Sequence, residues 1–191
     1  MNIFKKTAAV LFSPKSTWEA TNTHTDNDWP YIFALAAIGS VFELMAPNHV
    51  PSEFSRSAVE HISSINHASA FTYYIQSIAL AFALVQIVKY KLGEHPQNVT
   101  FVAYSLTPYY ISQASIYYTG FGSSGNSFSI YILALLAGTA YSAVEAYMGL
   151  KYSYRTKRPL LDALLLSVSA IVIDFVLFIA LTSETRNIFS G

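Results

Sequence analysis

Five long apolar segments, separated by short polar or charged breaks, dominate the hydrophobic pattern of the chain. Each segment holds 18 to 24 residues, or about 27 to 36 Å of α-helix, which is long enough to cross the hydrocarbon core of a bilayer. The segments are Trp29 to Ala46, Ser69 to Val88, Val99 to Tyr118, Ser127 to Leu150 and Leu160 to Thr182. The pattern therefore predicts an all-α integral membrane protein with five transmembrane helices.

The residues before the first segment predict a short amphipathic helix at the membrane interface. One helical face carries an apolar set with helical spacing, and two lysines beside it could reach lipid phosphates: Phe4, Ala8, Leu11 and Phe12, with Lys5 and Lys6. A frayed tail is the open alternative, because so short a helix is marginal alone. The predicted parts are a cytoplasmic N-terminal segment (1–28), a five-helix domain (29–182) and a short external tail (183–191).

The basic residues predict the orientation of these helices. If the loops alternate between the two sides, nine of the eleven Lys and Arg residues lie on one side: Lys5, Lys6, Lys15, Lys89, Lys91, Lys151, Arg155, Lys157 and Arg158. Arg56 and Arg186 lie on the other side. The positive-inside rule then predicts a cytoplasmic N-terminus and an external or periplasmic C-terminus, in a cell membrane such as the bacterial inner membrane.

Composition supports the membrane class and narrows the chemistry. The chain is 53% hydrophobic and 12% charged, against about 25% charged residues in soluble domains. Its net charge of zero gives no basic field for nucleic acid, so the expected partner is the lipid bilayer, with self-association or a membrane-protein partner as further possibilities. There is no cysteine, and no catalytic motif is recognisable. We expect a protein that is not an enzyme and carries no cofactor.

Three carboxylates lie inside the predicted spans, where no Lys or Arg accompanies them: Glu43, Glu145 and Asp174. An ionised carboxylate at such depth is costly, and helical spacing places each on the small or polar face of its helix, pointing into the bundle. Glu43 and Asp174 fall in the same outer half, so together they could hold a proton or a cation. In the alternative, both are neutral acids whose hydrogen bonds hold helices in register.

Other polar residues are expected to line the bundle. The third span is unusually polar and contains a proline, for which we expect a kink. The predicted lining residues are Gln76, Gln86, Tyr104, Thr107, Pro108 and Gln113.

The outer loop after the first span holds three histidines that could bind a metal such as zinc or nickel: His49, His61 and His67. No His-x-x-x-His pair is present, so a solvated loop or a short interfacial helix is the alternative.

The fourth span carries small residues at four-residue spacing, a pattern that lets another helix approach closely: Ala134, Gly138, Ser142 and Ala146. The approaching helix could belong to the same chain or to a second copy.

Three stretches resemble the bacterial branch of the Yip-domain (Ypt-interacting protein) family of five-span membrane proteins: Leu11 to Glu19, Ala103 to Pro108, and Gly149 to Lys151. The resemblance implies five spans with a cytoplasmic N-terminus. Eukaryotic members associate with small prenylated GTPases and with one another in vesicle traffic. For this chain the resemblance implies a non-enzymatic, membrane-organising or partner-binding scaffold. The intramembrane carboxylates favour an alternative, a carrier for an ion, a small solute or a lipid.

Overall fold

The computed structural model describes residues 3–21, 28–45, 56–118 and 127–189, with side chains for residues 4–20, 28–42, 44, 70–113 and 133–181. Within these ranges the regular structure is entirely helical, which confirms the all-α class. The helices are α1 (Ile3–Phe12), α2 (Pro14–Thr21), α3 (Trp29–Met45), α4 (Arg56–Leu92), α5 (Asn98–Tyr118), α6 (Ser127–Tyr152) and α7 (Pro159–Phe189).

Three of these helices are long and apolar enough to cross a membrane, through Ala70–Leu92, Leu133–Tyr152 and Pro159–Leu181. A shorter apolar helix runs through Trp29–Phe42. The helix α5 is less apolar because its sequence is rich in Tyr, Ser and Thr. The count of five spans stays a prediction for α3 and α5.

The helix α5 lies at the centre of the bundle. Every residue from Thr100 to Pro108 is buried, and α5 packs against α6, α3, α4 and α1. A central helix can be polar because its neighbours, and not lipid, surround its side chains. The helix α7 lies at the periphery, where it packs against α4 and α6 and leaves most of its apolar side chains exposed. Helix α5 is therefore the core element that positions the polar groups of the bundle.

The small residues of α6 contact α5 of the same chain. A Cβ atom at Gly138 would collide with the side chain of Ser112 and come within 3.1 Å of the carbonyl oxygen of Pro108. The hydroxyl of Ser142 accepts a hydrogen bond from the backbone N–H of Tyr109 at 3.2 Å. The small residues of α6 therefore let α5 of the same chain approach closely. The contact lies beside Pro108, and α5 continues through this proline as one helix.

The N-terminal helices differ from the predicted interfacial helix. The apolar side chains of Phe4 and Phe12 are 72% and 83% exposed, as expected for a face toward lipid. The opposite side of the pair is buried in the bundle, where Val10 is 0% and Trp18 is 1% exposed. Helices α1 and α2 pack against α5 and α6. The N-terminal segment is therefore part of the folded bundle, because Trp18 has a docking site there; its interfacial position stays a prediction.

Two helices extend beyond their predicted ends. Helix α4 begins at Arg56, so the second half of the predicted outer loop is helical and continuous with the span. Helix α7 continues to Phe189, through most of the predicted tail. A helix that leaves the hydrocarbon can continue into water because its backbone hydrogen bonds are internal.

Candidate functional site

A polar cluster around Asp174 links three helices inside the bundle. One carboxylate oxygen of Asp174 accepts a hydrogen bond from the side-chain amide of Gln76 on α4 at 2.8 Å. The other accepts one from the hydroxyl of Tyr109 on α5 at 2.5 Å. The amide of Gln113 donates to the same hydroxyl at 2.9 Å. Both oxygens of this intramembrane carboxylate therefore have protein donors, and the cluster joins α4, α5 and α7.

A second polar contact joins the N-terminal helices to α6. The indole N–H of Trp18 donates a hydrogen bond to one oxygen of Glu145 at 2.9 Å. Glu145 is 0% exposed, and its other oxygen has no hydrogen-bond partner in the structure. The indole ring packs against Phe101 and Tyr104, with centroid distances of 5.8 and 5.3 Å. A Cβ atom at Gly149 would lie 3.0 Å from the indole, so the glycine leaves room for it.

A buried ion pair holds α1 against the start of α3. The ammonium of Lys6, in a side chain only 10% exposed, pairs with the carboxylate of Asp28. It also lies 5.5 and 5.4 Å from the ring centroids of Tyr31 and Tyr104, within cation–π range. The expectation that Lys6 reaches lipid phosphates is therefore wrong. Asp28 satisfies its charge inside the protein, whereas the side chain of Lys5 is exposed.

The predicted lining residues of α5 lie inside the bundle. Thr107 is completely buried, donates to the carbonyl of Ala103 at 2.8 Å and shares a hydrogen bond with the hydroxyl of Tyr31 at 3.1 Å. Tyr104, Pro108 and Gln113 are buried as well.

On α4 the two glutamines predicted to line the bundle lie on different faces of the helix. Gln76 reaches Asp174, but Gln86 is exposed, which corrects its placement in the lining. The physical reason is helical geometry. Ten residues rotate a side chain to a position about 80° from the starting face.

The remaining candidates lie outside the described side chains. Glu43 is on the backbone of α3, so its proximity to Asp174 stays a prediction. His49 lies outside the described residues, whereas His61 and His67 are on the backbone of α4 without described side chains. Among the described side chains there is no group of three or more acidic, histidine or cysteine residues that could hold a metal.

Sequence reasoning missed Trp18, Asp28 and Tyr109 as partners of buried charges. A signal was present for Trp18, since it is the one large apolar residue in the otherwise polar α2. No local signal connects Trp18 with Glu145, because 127 residues separate them.

A cavity of about 230 Å³ lies between α4, α5, α6 and α7. Its walls are mainly aliphatic and aromatic, and Asp174 and Tyr109 lie at one end. The other end approaches the basic loop between α6 and α7, where the ring of Tyr154 packs on Phe101 and its hydroxyl donates to Asn98 at 2.6 Å. Burial raises the pKa of Tyr154 above its ordinary value of 10.0, so this hydroxyl stays a donor even in alkaline solution.

The sequence of the chain matches one known protein family. No significant match was found among curated proteins or among solved structures. The Yip1 domain matches residues 8–182, a region that includes both Trp18 and Asp174. This match covers most of the chain, and the apolar helices fit a membrane protein. The chain therefore belongs to the Yip1 domain family.

Proposed function

We propose that this protein is a non-enzymatic, five-span membrane scaffold that holds partner membrane proteins, or a second copy of itself, in a bacterial inner membrane. In this arrangement α3 and α5 are the two further spans, the N-terminus is cytoplasmic and the C-terminus is external. Nine of eleven basic residues on one side support that orientation. The Yip1 family is not a known enzyme family, which agrees with the non-enzymatic role.

One observation carries the proposal: the two described intramembrane carboxylates accept hydrogen bonds that link helices. Asp174 joins α7 to α4 and α5, and Glu145 joins α6 to α2. With one donor on each oxygen, the carboxylate of Asp174 is held in place between α4 and α5, although each oxygen keeps a further lone pair. The arrangement of Asp174 favours a fixed helix contact over an ion-carrying site.

The alternative is a carrier for an ion, a small solute or a lipid. A carrier for an ion or a small solute needs a polar path for its cargo. The cavity beside Asp174 is instead lined mainly by apolar side chains. The geometry therefore supports the scaffold better than ion or solute transport.

The surface offered to a partner is the outward face of α7. Its exposed large apolar side chains include Val168, Val172, Phe175, Val176 and Ile179. In the apolar part of this helix, only 6% of the residues are buried against the rest of the chain. This face contacts lipid in an isolated copy and can receive another helix in an assembly.

The test of the carboxylate contacts compares Asp174→Asn with Ser169→Ala, a control at a half-buried position of the same helix whose hydroxyl donates to the carbonyl of Leu165 within α7. Interhelical hydrogen bonds in membranes contribute about 0.6 kcal/mol each, up to about 1.7 kcal/mol. We expect Asp174→Asn to lower the melting temperature of the reconstituted protein, and proton or cation flux into sealed vesicles to be absent in all forms. A flux in the wild type that Asp174→Asn abolishes without loss of stability would overturn the proposal.

The partner surface is tested by disulfide cross-linking in native membranes. The chain has no natural cysteine, so every cross-link starts from the cysteine that is introduced. We expect Val176→Cys, at an exposed position, to form a specific cross-linked species. Leu166→Cys, at a buried position of the same helix, should form none. Equal random cross-linking from both positions would contradict a partner on this face.

A further inference from the structure

The cavity is lined by successive turns of the helices that surround it. On α4 its lining extends from Leu80 to Val88, on α5 from Phe101 to Tyr109, and on α7 from Leu166 to Asp174. Each of these stretches covers eight helical steps, or about 12 Å.

Two polar contacts join α4 and α7 near the two ends of the lining stretches. Lys91 pairs with Asp162 at 3.1 Å near the basic loop, and Gln76 donates to Asp174 at the deep end. Asp162 and Asp174 are twelve residues apart on α7, a separation of about 18 Å. The two helices are therefore linked at both ends, with an apolar space between the links.

Most polar groups on the cavity wall have partners within the protein. Asp174 and Tyr109 bond to each other, and the hydroxyl of Ser167 donates to the carbonyl of Ala163 at 2.9 Å. The hydroxyl of Ser105 has no hydrogen-bond partner in the structure. A charged or strongly polar occupant would thus lose its hydration for few new hydrogen bonds. The chemistry of the wall suits an alkyl chain.

The end of the cavity opposite Asp174 lies close to a basic surface. Val88 immediately precedes Lys89 on α4, and the loop from α6 to α7 carries three exposed basic side chains: Arg155, Lys157 and Arg158. Exposed basic side chains beside a membrane span attract anionic headgroups.

We propose that the cavity binds one acyl chain of an anionic phospholipid from the leaflet on the basic side, with the phosphate of its headgroup beside the α6–α7 loop. One leaflet of hydrocarbon is about 15 Å deep, half of the ~30 Å core, and the cavity covers about 12 Å of it. The end of the chain lies against Asp174 and Tyr109. The site goes beyond the scaffold role and does not require a partner protein.

The test uses the intact chain in phosphatidylcholine vesicles that contain a phosphatidylglycerol probe with a photoreactive group midway along one acyl chain. We expect cross-links in the peptides that carry Leu80 to Val88 and Leu166 to Asp174. Ala170→Phe places a ring in the cavity and should reduce these cross-links several-fold. Val172→Phe, two residues away on the exposed face of α7, should leave them unchanged.

The headgroup is tested by replacing the loop charges. Each basic residue near an anionic surface contributes about a fivefold preference, so Arg158→Gln should lower the preference for phosphatidylglycerol over a matched phosphatidylcholine probe by about that factor. Lys15→Gln, at an exposed position on α2, is the control.

Labelling spread evenly over the outer face of α7, or equal effects of Ala170→Phe and Val172→Phe, would overturn the cavity as the site. Equal labelling by both probes in the wild type would overturn the anionic headgroup. If Ala170→Phe fails to fold, the distribution of labelled peptides in the wild type decides whether the cavity is the site.

Discussion

The contact between Trp18 and Glu145 gives the sharpest prediction for stability. The indole is 1% exposed and packs on Phe101 and Tyr104. Truncating so large a buried ring, as in Trp18→Ala, costs about 3 to 5 kcal/mol. The substitution Trp18→Phe keeps most of the packing but removes the N–H, so Glu145 loses its one described hydrogen bond. Leaving a buried acceptor without its donor costs about 1 to 3 kcal/mol.

The assay is thermal unfolding of the purified protein in nanodiscs. A loss of 1 kcal/mol lowers the melting temperature of a chain this size by about 2 to 4 °C, so Trp18→Ala should lower it by about 6 to 20 °C. Phe12→Ala, at an 83% exposed position of α1, should change it little. Placing Trp18→Phe in a Glu145→Leu background should remove the extra loss caused by the missing N–H. Equal losses for Trp18→Ala and Phe12→Ala would refute docking of the N-terminal helices.

Three further predictions concern the helix contacts. Gly138→Leu should prevent folding, measured as loss of the monodisperse peak in size-exclusion chromatography, because the backbone of α5 already lies 3.1 Å from a Cβ at this position. Lys6→Met should destabilise the protein by about 3 to 5 kcal/mol in a denaturation series, since it leaves buried Asp28 unpaired, and adding Asp28→Asn should restore part of that loss. Ser142→Ala removes the acceptor for the Tyr109 amide and should lower the unfolding free energy by about 1 kcal/mol; an unchanged value would show that this hydrogen bond contributes nothing.

Periodicity and length were sufficient to predict the helical class and the inward position of Glu145. Glu145 shares its helical face with small residues, which predicts that this face contacts another helix and not lipid. In the structure Glu145 is 0% exposed. Helix ends were harder to predict. The apolar pattern stops near Ser69, but α4 starts at Arg56, because hydropathy records the membrane boundary and not the last hydrogen-bonded turn.

The partners of the buried charges could not be predicted from local patterns. Lys6 looks like a residue that binds lipid until Asp28 is known to lie beside it. Gln76 and Asp174 are 98 residues apart, and only the packing of α7 against α4 brings them together. Such long-range pairs depend on which helices are neighbours, which the sequence pattern of each helix alone does not determine.

The separation of Trp18 from Glu145 has a consequence for the synthesis of the protein. The docking site for α2 is complete only after α6 has left the ribosome, 127 residues later. At 5 to 20 residues per second this interval lasts roughly 6 to 25 s. During that time α2 remains undocked, with the indole of Trp18 available to lipid, to chaperones and to proteases. Trp18 is therefore made long before the carboxylate that accepts its hydrogen bond.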